Sequence, residues 1–348
     1  MNERDQRSGQ PRDDSRMREP LSYSVGIVNH GSFDDLEKCI ESLSAQTRTP
    51  ERVAVWDTGV DGDSIDDLEA RYPEVEFLRG DNQGYAGGAN RVVDALVMAN
   101  AGAGELARGA PEFVLVLNPD VVLDADFAER LISPVAPFDR VAIATGKLLR
   151  EDRVRIDSAG ISFPRNGRPR DRGSEEFDRG QFDRAEYVEG ASGAAMLLRV
   201  ETLSDLVIDG ELFDESFFTY HEDTDLCWRA RRLGFDIRYE PAAVAIHRRG
   251  WQRDRRFAMP VVVRRHSFKN HYLQLIKNET VAGLLTNLPW LLTWEVLRLG
   301  FVLLRDRALL PAYGDAIRGS SGAWRKRRLI RERAGQSGSG GARGQERR

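Results

Sequence analysis

Cysteine is scarce in this chain. Only Cys39 and Cys227 occur in 348 residues, far apart, with no CxxC pair and no Cys/His cluster. That pattern excludes a disulfide framework and a structural zinc site, and it fits a reducing compartment. Both thiols are expected in the core, where free cysteine usually sits. A basic excess is also missing: the formal net charge is −4, so nucleic acid is not an expected partner. There is no internal repeat. The first twenty residues, MNERDQRSGQPRDDSRMREP, hold no apolar run and are expected as a disordered arm rather than a secretory signal. The first strand is not followed by GxGxxG but by Gly26-Ile-Val-Asn-His-Gly31, which argues against a nicotinamide dehydrogenase. That position also lacks the Gly-rich, Arg/Lys-bearing loop expected of a sugar-nucleotidyltransferase.

What remains is an ordinary globular composition, 41% hydrophobic and 30% charged, with enough length for a sizeable core. Apolar runs at Tyr23–Val28, Val53–Trp56, Val75–Leu78 and Phe113–Leu117 read as strands. Between them lie helical patterns. One is opened by a capping box, Ser32-x-x-Asp35, with Leu36, Ile40 and Leu43 on its inner face. A second runs from Ser64 to Tyr72, and a third from about Ala89 to Asn100 after the Gly-rich loop Asp81–Gly88. Strands alternating with helices predict an α/β fold with a mostly parallel, Rossmann-like sheet. Ligands of such sheets bind beyond the carboxyl ends of the strands. That edge carries Asn29, Asp57, the loop Asn82-Gln-Gly84-Tyr-Ala-Gly-Gly-Ala-Asn90 and Asn118-Pro-Asp120.

Chemistry can be assigned to several of these residues. Asp57 is placed to accept hydrogen bonds from a nucleobase or ribose, although an Asp after a strand is also a common turn former. The glycine loop lets backbone approach a ligand closely. Asn118 suits a ribose hydroxyl, and Asp120 is a hard oxygen ligand for Mg²⁺ or Mn²⁺ on a diphosphate. Glu222-Asp223-Thr224-Asp225 sets three carboxylates at the start of a helix predicted over 223–233, with Gly234 as its stop. The aromatic approach Phe217-Phe-Thr-Tyr220 predicts that this acidic run is buried or lines a pocket. His247 ends a strand-like run and reads as a metal or phosphate ligand or as a structural histidine. Arg248, Arg249 and Arg255 are candidate phosphate contacts.

Taken in order, strand–Asp57, Asn82-x-Gly-Tyr-Ala-x-Gly-x-Asn90, Leu117-Asn-Pro-Asp-Val121, Gly193-Ala-Ala-Met-Leu-Leu-Arg199, Phe213-Asp-Glu-x-Phe-Phe-x-Tyr220, Glu222-Asp-x-Asp-Leu226 and His247 resemble family-two inverting glycosyltransferases of the GT-A fold, nearest to their bacterial rhamnosyltransferase-like branch. The resemblance spans about residues 21–275. It implies a nucleotide-diphosphate sugar donor such as dTDP-rhamnose, bound by Asn29, Asp57, Asn82, Gly84, Asn90, Asn118 and Asp120. It also implies a divalent Mg²⁺ or Mn²⁺ held by Asp120 with His247, and Asp223 as general base. Glu222, Asp225 and Tyr220 are placed on the acceptor side in support. Asn118 departs from the D-x-D pattern by one carboxylate. The implied product is a cell-envelope polysaccharide, built on a glycan or lipid-linked acceptor. A non-catalytic carbohydrate-binding relative is the alternative, disfavoured by the intact Asp120, Asp223 and His247.

The expected organisation is a 1–20 arm and a 21–275 catalytic domain, the latter divided into nucleotide-binding (21–120) and acceptor (121–275) halves. A 276–330 helical extension and a 331–348 disordered tail follow. Within the extension, Val281–Leu304 is apolar but interrupted by Pro289, Glu295 and Arg298, the last two spaced to pair. With Trp290, Trp294 and the basic cluster Arg325-Lys-Arg-Arg328, Arg331 and Arg333, it reads as an in-plane membrane helix or as a helix packed on the domain. Cytoplasmic placement, peripheral on the inner face of the cell membrane, is the expectation. The polar stretch 164–183 reads as a mobile flap or a solvated loop.

Overall fold

A computed structural model describes residues 21–59, 62–97, 109–249 and 257–340. The N-terminal arm, the end of the third helix toward Asn100, Arg255 and residues 341–348 lie outside these. The first half runs β1 (Tyr23–Asn29), α1 (Phe33–Ser44), β2 (Val53–Asp57), α2 (Gly62–Arg71), β3 (Val75–Arg79), α3 (Gly84–Val97) and β4 (Phe113–Leu117). The second runs β5 (Val121–Leu123), α4 (Phe127–Val135), β6 (Val141–Leu149), β7 (Ile156–Ser158), β8 (Ile161–Ser162), β9 (Arg170–Asp171), β10 (Glu186–Tyr187), β11 (Ala195–Arg199), α5 (Leu203–Leu206), α6 (Glu222–Arg232) and β12 (Asp236–His247). Three long helices follow, α7 (Val261–Asn278), α8 (Val281–Arg305) and α9 (Leu310–Gly340).

Among the described residues one sheet of ten strands is ordered β10-β12-β6-β11-β4-β1-β2-β3, with β5 on β12 and β7 on β6. Strands β4, β1, β2 and β3 are parallel, as the alternation predicts, whereas β11 is antiparallel to both β4 and β6. Strands β1 and β4 are buried along their whole length, which explains their continuous apolar runs. The parallel register sets Asn29 beside Asp57 at the carboxyl edge.

Local details depart from the sequence reading. Ser32 occupies the N-cap of α1, but its hydroxyl makes no cap hydrogen bond; its backbone N–H donates instead to Asn29 Oδ1 at 3.2 Å. The third helix begins at Gly84 rather than near Ala89, so most of the glycine loop is helix. Gly84 takes φ +73°, and a Cβ there would lie 2.1 Å from the Phe218 carbonyl oxygen. A Cβ on Gly88 would lie 2.6 Å from Val28. These glycines cost helix propensity, roughly 1 kcal/mol each. They let α3 lie directly on β1 and β2, and that close approach overrides propensity.

The C-terminal helices redraw the expected boundaries. The 275/276 division falls inside α7, and α9 continues beyond 330 to Gly340. Much of the basic cluster is turned inward. Arg325 pairs with Asp209, Lys326 is buried against Glu211 and Asp214, Arg327 donates to the Ile276 carbonyl, and Arg333 donates to the carbonyls of Ser204, Asp205 and Val207. These groups hold α9 on the segments before α6 and on α7, so the headgroup role expected of them is largely withdrawn. Helix α8 is the one described helix long and apolar enough to cross a membrane by length and composition, and only 6% of its most apolar window is buried. Glu295 accepts from Tyr272 and Tyr313, while Arg298 lies 3.9 Å over the Phe268 ring. The 164–183 stretch is anchored at several points: Arg165 and Arg168 sit over Trp290 and Trp294, and Lys147 pairs with Asp178 and Asp183.

A buried ion chain joins the layers. Lys277, fully buried on α7, contacts Asp214 at 2.7 Å and Asp225 at 2.6 Å, and Lys326 of α9 contacts the other oxygen of Asp214 at 2.7 Å. Burial alone would raise the Asp214 carboxyl, but the two ammonium groups outweigh it and hold it well below the usual carboxylate range. A depressed carboxyl contributes stability that is present above the ordinary range near 3.8 and is lost as pH falls below it. Asp214→Asn should destabilise the fold by about 3 kcal/mol at neutral pH. It should also flatten the acid limb of stability against pH, checked by urea unfolding between about pH 3 and 7.

Candidate active site

The chain reaches its acidic run through a strained approach. Phe218, Tyr220 and His221 all have φ between +66° and +73°, a conformation such residues keep only when their surroundings impose it. Helix α7 supplies the restraint. Asn270 donates to the carbonyls of Phe217, Thr219 and Tyr220 at 2.8, 2.9 and 2.7 Å. Gln274 bridges the His221 ring and the Thr224 hydroxyl, each at 2.9 Å. From the other side, the Ala86 N–H of α3 donates to the Phe218 carbonyl. The approach therefore delivers Glu222 and Asp223 into the first turn of α6 in one fixed orientation.

There a cleft of about 260 Å³ opens, lined by Asn118, Asp120, Gly193, Tyr220, Asp223 and His247 among others. Asp223 accepts from the N–H groups of Gly193 at 2.9 Å and Thr224 at 2.7 Å. Burial pushes its carboxyl up, and those two backbone donors offset part of the rise. Gly193 is itself tied by Tyr85, whose hydroxyl donates to its carbonyl at 2.7 Å. Glu222 is buried with Oε2 lacking a hydrogen-bond partner. Burial first, then the neighbouring Asp223, push its carboxyl well above the usual range.

Opposite them, His247 Nε2 lies 3.3 Å from Asp120 Oδ1, and its Nδ1 lies 2.7 Å from Asp157 Oδ2. Burial pulls the imidazole down, but Asp120 and Asp157 outweigh burial and hold it up at about 9. Asp157 is also reached by Arg150 at 3.0 Å and Arg249 at 3.2 Å. These cations and His247 overcome burial and hold it at about 2. Arg249 links onward to Asp171 of β9. The result is a charge-paired cluster, His247, Arg150 and Arg249 against Asp157, Glu175 and Asp171, beside the Asp120 carboxylate.

The sequence-predicted residues thus divide. Asn118, Asp120, Tyr220, Glu222, Asp223 and His247 share the cleft. Asn29 and Asp57 form a pair beside it, Asn29 Nδ2 donating to Asp57 at 2.7 Å while the Gly59 N–H donates to the other carboxylate oxygen. Asn82 accepts from the Gly84 N–H and shapes the start of α3. Two residues serve other ends. The amide of Asn90 is engaged by Phe213 and Glu215, so it braces the segment before the acidic run instead of facing a donor. Asp225 is fully buried against Lys277 and Asn278, so its support is structural. Sequence reasoning missed Tyr85, Asp157 and the α7 residues Asn270 and Gln274. The α7 group had a signal: Asn270, Gln274, Lys277 and Asn278 recur at i, i+4, i+7, i+8, a polar stripe in a helix that has to pack. Asp157 had none.

A mixed sheet ending in an acid-lined cleft at its carboxyl edge is the architecture of a GT-A glycosyltransferase. The fold superposes with a TM-score of 0.52 on the crystal structure of GalNAc-T7 with UDP, GalNAc and Mn²⁺, over 74% of this chain and 48% of that one. The chain therefore spans about half of that protein, and at 14% identity the likeness is one of fold. Residues 20–274 match the family described as glycosyltransferase like family 2, and the chain belongs to that family. It is a glycosyltransferase. Among its relatives is the N-acetylglucosaminyl-diphospho-decaprenol L-rhamnosyltransferase of Mycobacterium tuberculosis, 28% identical over 64% of this chain and 75% of that protein. Rhamnosyltransferase WbbL of Escherichia coli is 28% identical over 64% of this chain and 81% of the other. A low-salt glycan biosynthesis hexosyltransferase, Agl10 of Haloferax volcanii, is 26% identical over 64% and 66%.

Proposed function

We propose that this glycosyltransferase works by inversion, moving a sugar, rhamnose in the first instance, from a nucleotide diphosphate to a lipid-linked acceptor of cell-envelope glycan synthesis. The observation that carries the mechanism is the half-buried, upward-shifted Asp223, fixed by Gly193 and Thr224 in the same cleft as Asp120. An acceptor hydroxyl there forms the new C–O bond to the anomeric carbon as its proton passes to Asp223. The bond to the diphosphate breaks with its electrons, and one displacement inverts the centre. A carboxylate that burial makes more basic suits that proton transfer. Asp57 and Asn29 would hold the nucleoside, with Asn118 on the ribose. The rhamnosyl donor, dTDP-rhamnose for instance, and the lipid-linked acceptor are drawn from the named activities of the relatives.

Asp120 and His247 fit a Mg²⁺ or Mn²⁺ site. His247 Nδ1 is given to Asp157 and Nε2 to Asp120; a cation would take the place of the Nε2 proton between His247 and Asp120, with Asp157 backing the imidazole as carboxylates back metal-bound histidines. No cluster of three or more acidic, His or Cys ligands occurs among the described residues, so the diphosphate and water would complete the shell, as is usual for Mg²⁺. The cation would offset the charge that develops on the leaving diphosphate.

The α8 surface supports a peripheral membrane position on the cytoplasmic face. Val281, Leu285, Leu288, Leu292, Val296, Leu299 and Leu303 are all exposed. Their steps of 4, 3, 4, 4, 3, 4 repeat every 11 residues, close to the period of a straight helix. The stripe therefore runs parallel to the axis over the length of the helix and matches a flat surface better than a left-handed coiled-coil partner would.

Three results test these readings. Asp223→Asn should lower kcat by about 10²–10⁴ with little change in nucleotide-diphosphate affinity; near wild-type turnover would remove Asp223 as the base. Calorimetry with dTDP should show Mn²⁺-dependent binding that EDTA and Asp120→Ala both weaken; equal affinity with EDTA and with Mn²⁺ would refute the metal role. Truncating the chain before α8 would also remove α9 and with it Lys326 of the buried ion chain, so the membrane reading is better tested with Leu285→Gln, Leu292→Gln and Leu299→Gln combined. That variant should stay folded and lose flotation with liposomes, whereas retained flotation would contradict the claim.

A further inference from the structure

A second cavity, of about 320 Å³, lies between α7 and α9 and is lined by Val262, Arg265, His266, Lys269, Asp315 and Arg318. The four α7 residues fall at i, i+3, i+4 and i+7 and so share one face. Three cations surround a single carboxylate. Asp315 accepts from Arg265 at 2.9 Å and also pairs with Arg318, while Lys269 donates to the Ser216 carbonyl at 2.6 Å, a neutral acceptor. Two positive charges are thus left over. Burial pushes the Lys269 ammonium down, as expected where a cation is partly desolvated without a full counter-charge. His266 adds a buried Nδ1 with no hydrogen-bond partner. Two guanidinium forks and an ammonium suit phosphate oxygens, which accept bidentate pairs.

The position of the cavity indicates which phosphate. His266 stacks on Phe218 at 4.8 Å, and Lys269 holds Ser216; both belong to the approach that delivers Glu222 and Asp223. One helical turn further along α7, roughly 6 Å, Asn270 grips the carbonyls of that same approach. On the other side, Arg264 forms a buried pair with Asp306, the residue that caps the end of α8. The exposed apolar stripe, the basic cavity and the catalytic carboxylate therefore follow one another along α7.

We infer that this cavity binds the diphosphate of a lipid-linked acceptor, with the lipid along α8 and the acceptor sugar reaching Asp223. The inference rests on the lipid-linked acceptor proposed above. The basic groups of the cavity then act in binding, and proton transfer stays with Asp223.

The test uses the full chain carrying Lys269→Gln and Arg318→Gln. The side-chain amide that Lys269→Gln introduces keeps a donor for the Ser216 carbonyl, and Arg318 is largely exposed, so folding should survive; circular dichroism and the dTDP affinity check that it does. Two acceptors are compared in neutral detergent: N-acetylglucosamine on a short-chain polyprenyl diphosphate, and the same sugar as a phosphate-free alkyl glycoside. KM for the diphosphate acceptor should rise about tenfold, the loss expected for charge-assisted hydrogen bonds. Its kcat, the KM of the alkyl glycoside and flotation with phosphatidylglycerol vesicles should stay unchanged. An unchanged KM for the diphosphate acceptor overturns the inference. Loss of vesicle flotation without a KM change also overturns it, since the anion bound would then be a lipid headgroup. Should the wild type use neither acceptor, the lipid-linked reading has failed, and calorimetry with inorganic pyrophosphate in EDTA decides the cavity separately: equal affinity in wild type and variant overturns the site.

Discussion

The buried chain Lys326–Asp214–Lys277–Asp225 is the contact on which the remaining architecture depends. It ties α9 to α7, α7 to α6, and all three to the segment that precedes the acidic run. Ions taken out of water are costly unless each finds its partner and further hydrogen bonds. Here Asp214 also accepts from the Ser216 N–H and hydroxyl, and Asp225 from Asn278. Two ammonium groups face two carboxylates, so the chain is neutral as a unit and unstable with any member removed. Such a contact supplies registry: hydrophobic packing would tolerate a shift of α7, whereas this pairing does not.

Registry is what the catalytic segment needs. Three residues with positive φ in a stretch of four are sustained by hydrogen bonds from Asn270 and Gln274, and those side chains are placed only if α7 is placed. The strain is held so that Glu222 and Asp223 enter α6 side by side, the first with its carboxyl raised by burial and the second fixed by backbone donors. Helix α7 thus belongs to the candidate active site although it extends past the end of the family match at residue 274. A division of the chain into a catalytic domain and an appended helical extension cuts through this unit.

Much of the first half of the chain was legible because its signals are local. The parallel strands announce themselves as apolar runs, and the strand-end rule pointed to Asn29, Asp57, Asn118 and Asp120 without any tertiary information. The acidic run was legible as an energetic anomaly that requires compensation. The start of α3 was misread because glycine weakens a helix in isolation, and only the contact with Val28 and Phe218 reveals why it is tolerated. Asn90 looked like a ligand contact because a polar residue beside a glycine loop does; its partners, Phe213 and Glu215, are more than 120 residues away. Asp157 lies in a three-residue strand with no periodicity, and its importance comes wholly from His247, Arg150 and Arg249 meeting around it.

The basic C-terminal cluster shows how charge runs mislead for a related reason. Read along the chain, six cations in nine residues suggest an electrostatic foot on an anionic surface. In the fold, Lys326, Arg327 and Arg333 point back into the protein, Arg325 pairs with Asp209 at the surface, and together they carry the helix instead. What remains outside includes the aliphatic stripe of α8, seven side chains whose transfer from water is favourable by roughly 1.5–3 kcal/mol each when fully buried. An enzyme docked by that stripe would depend on apolar area rather than on headgroup charge. The basic cavity between α7 and α9 would be left free for a phosphate of its own acceptor.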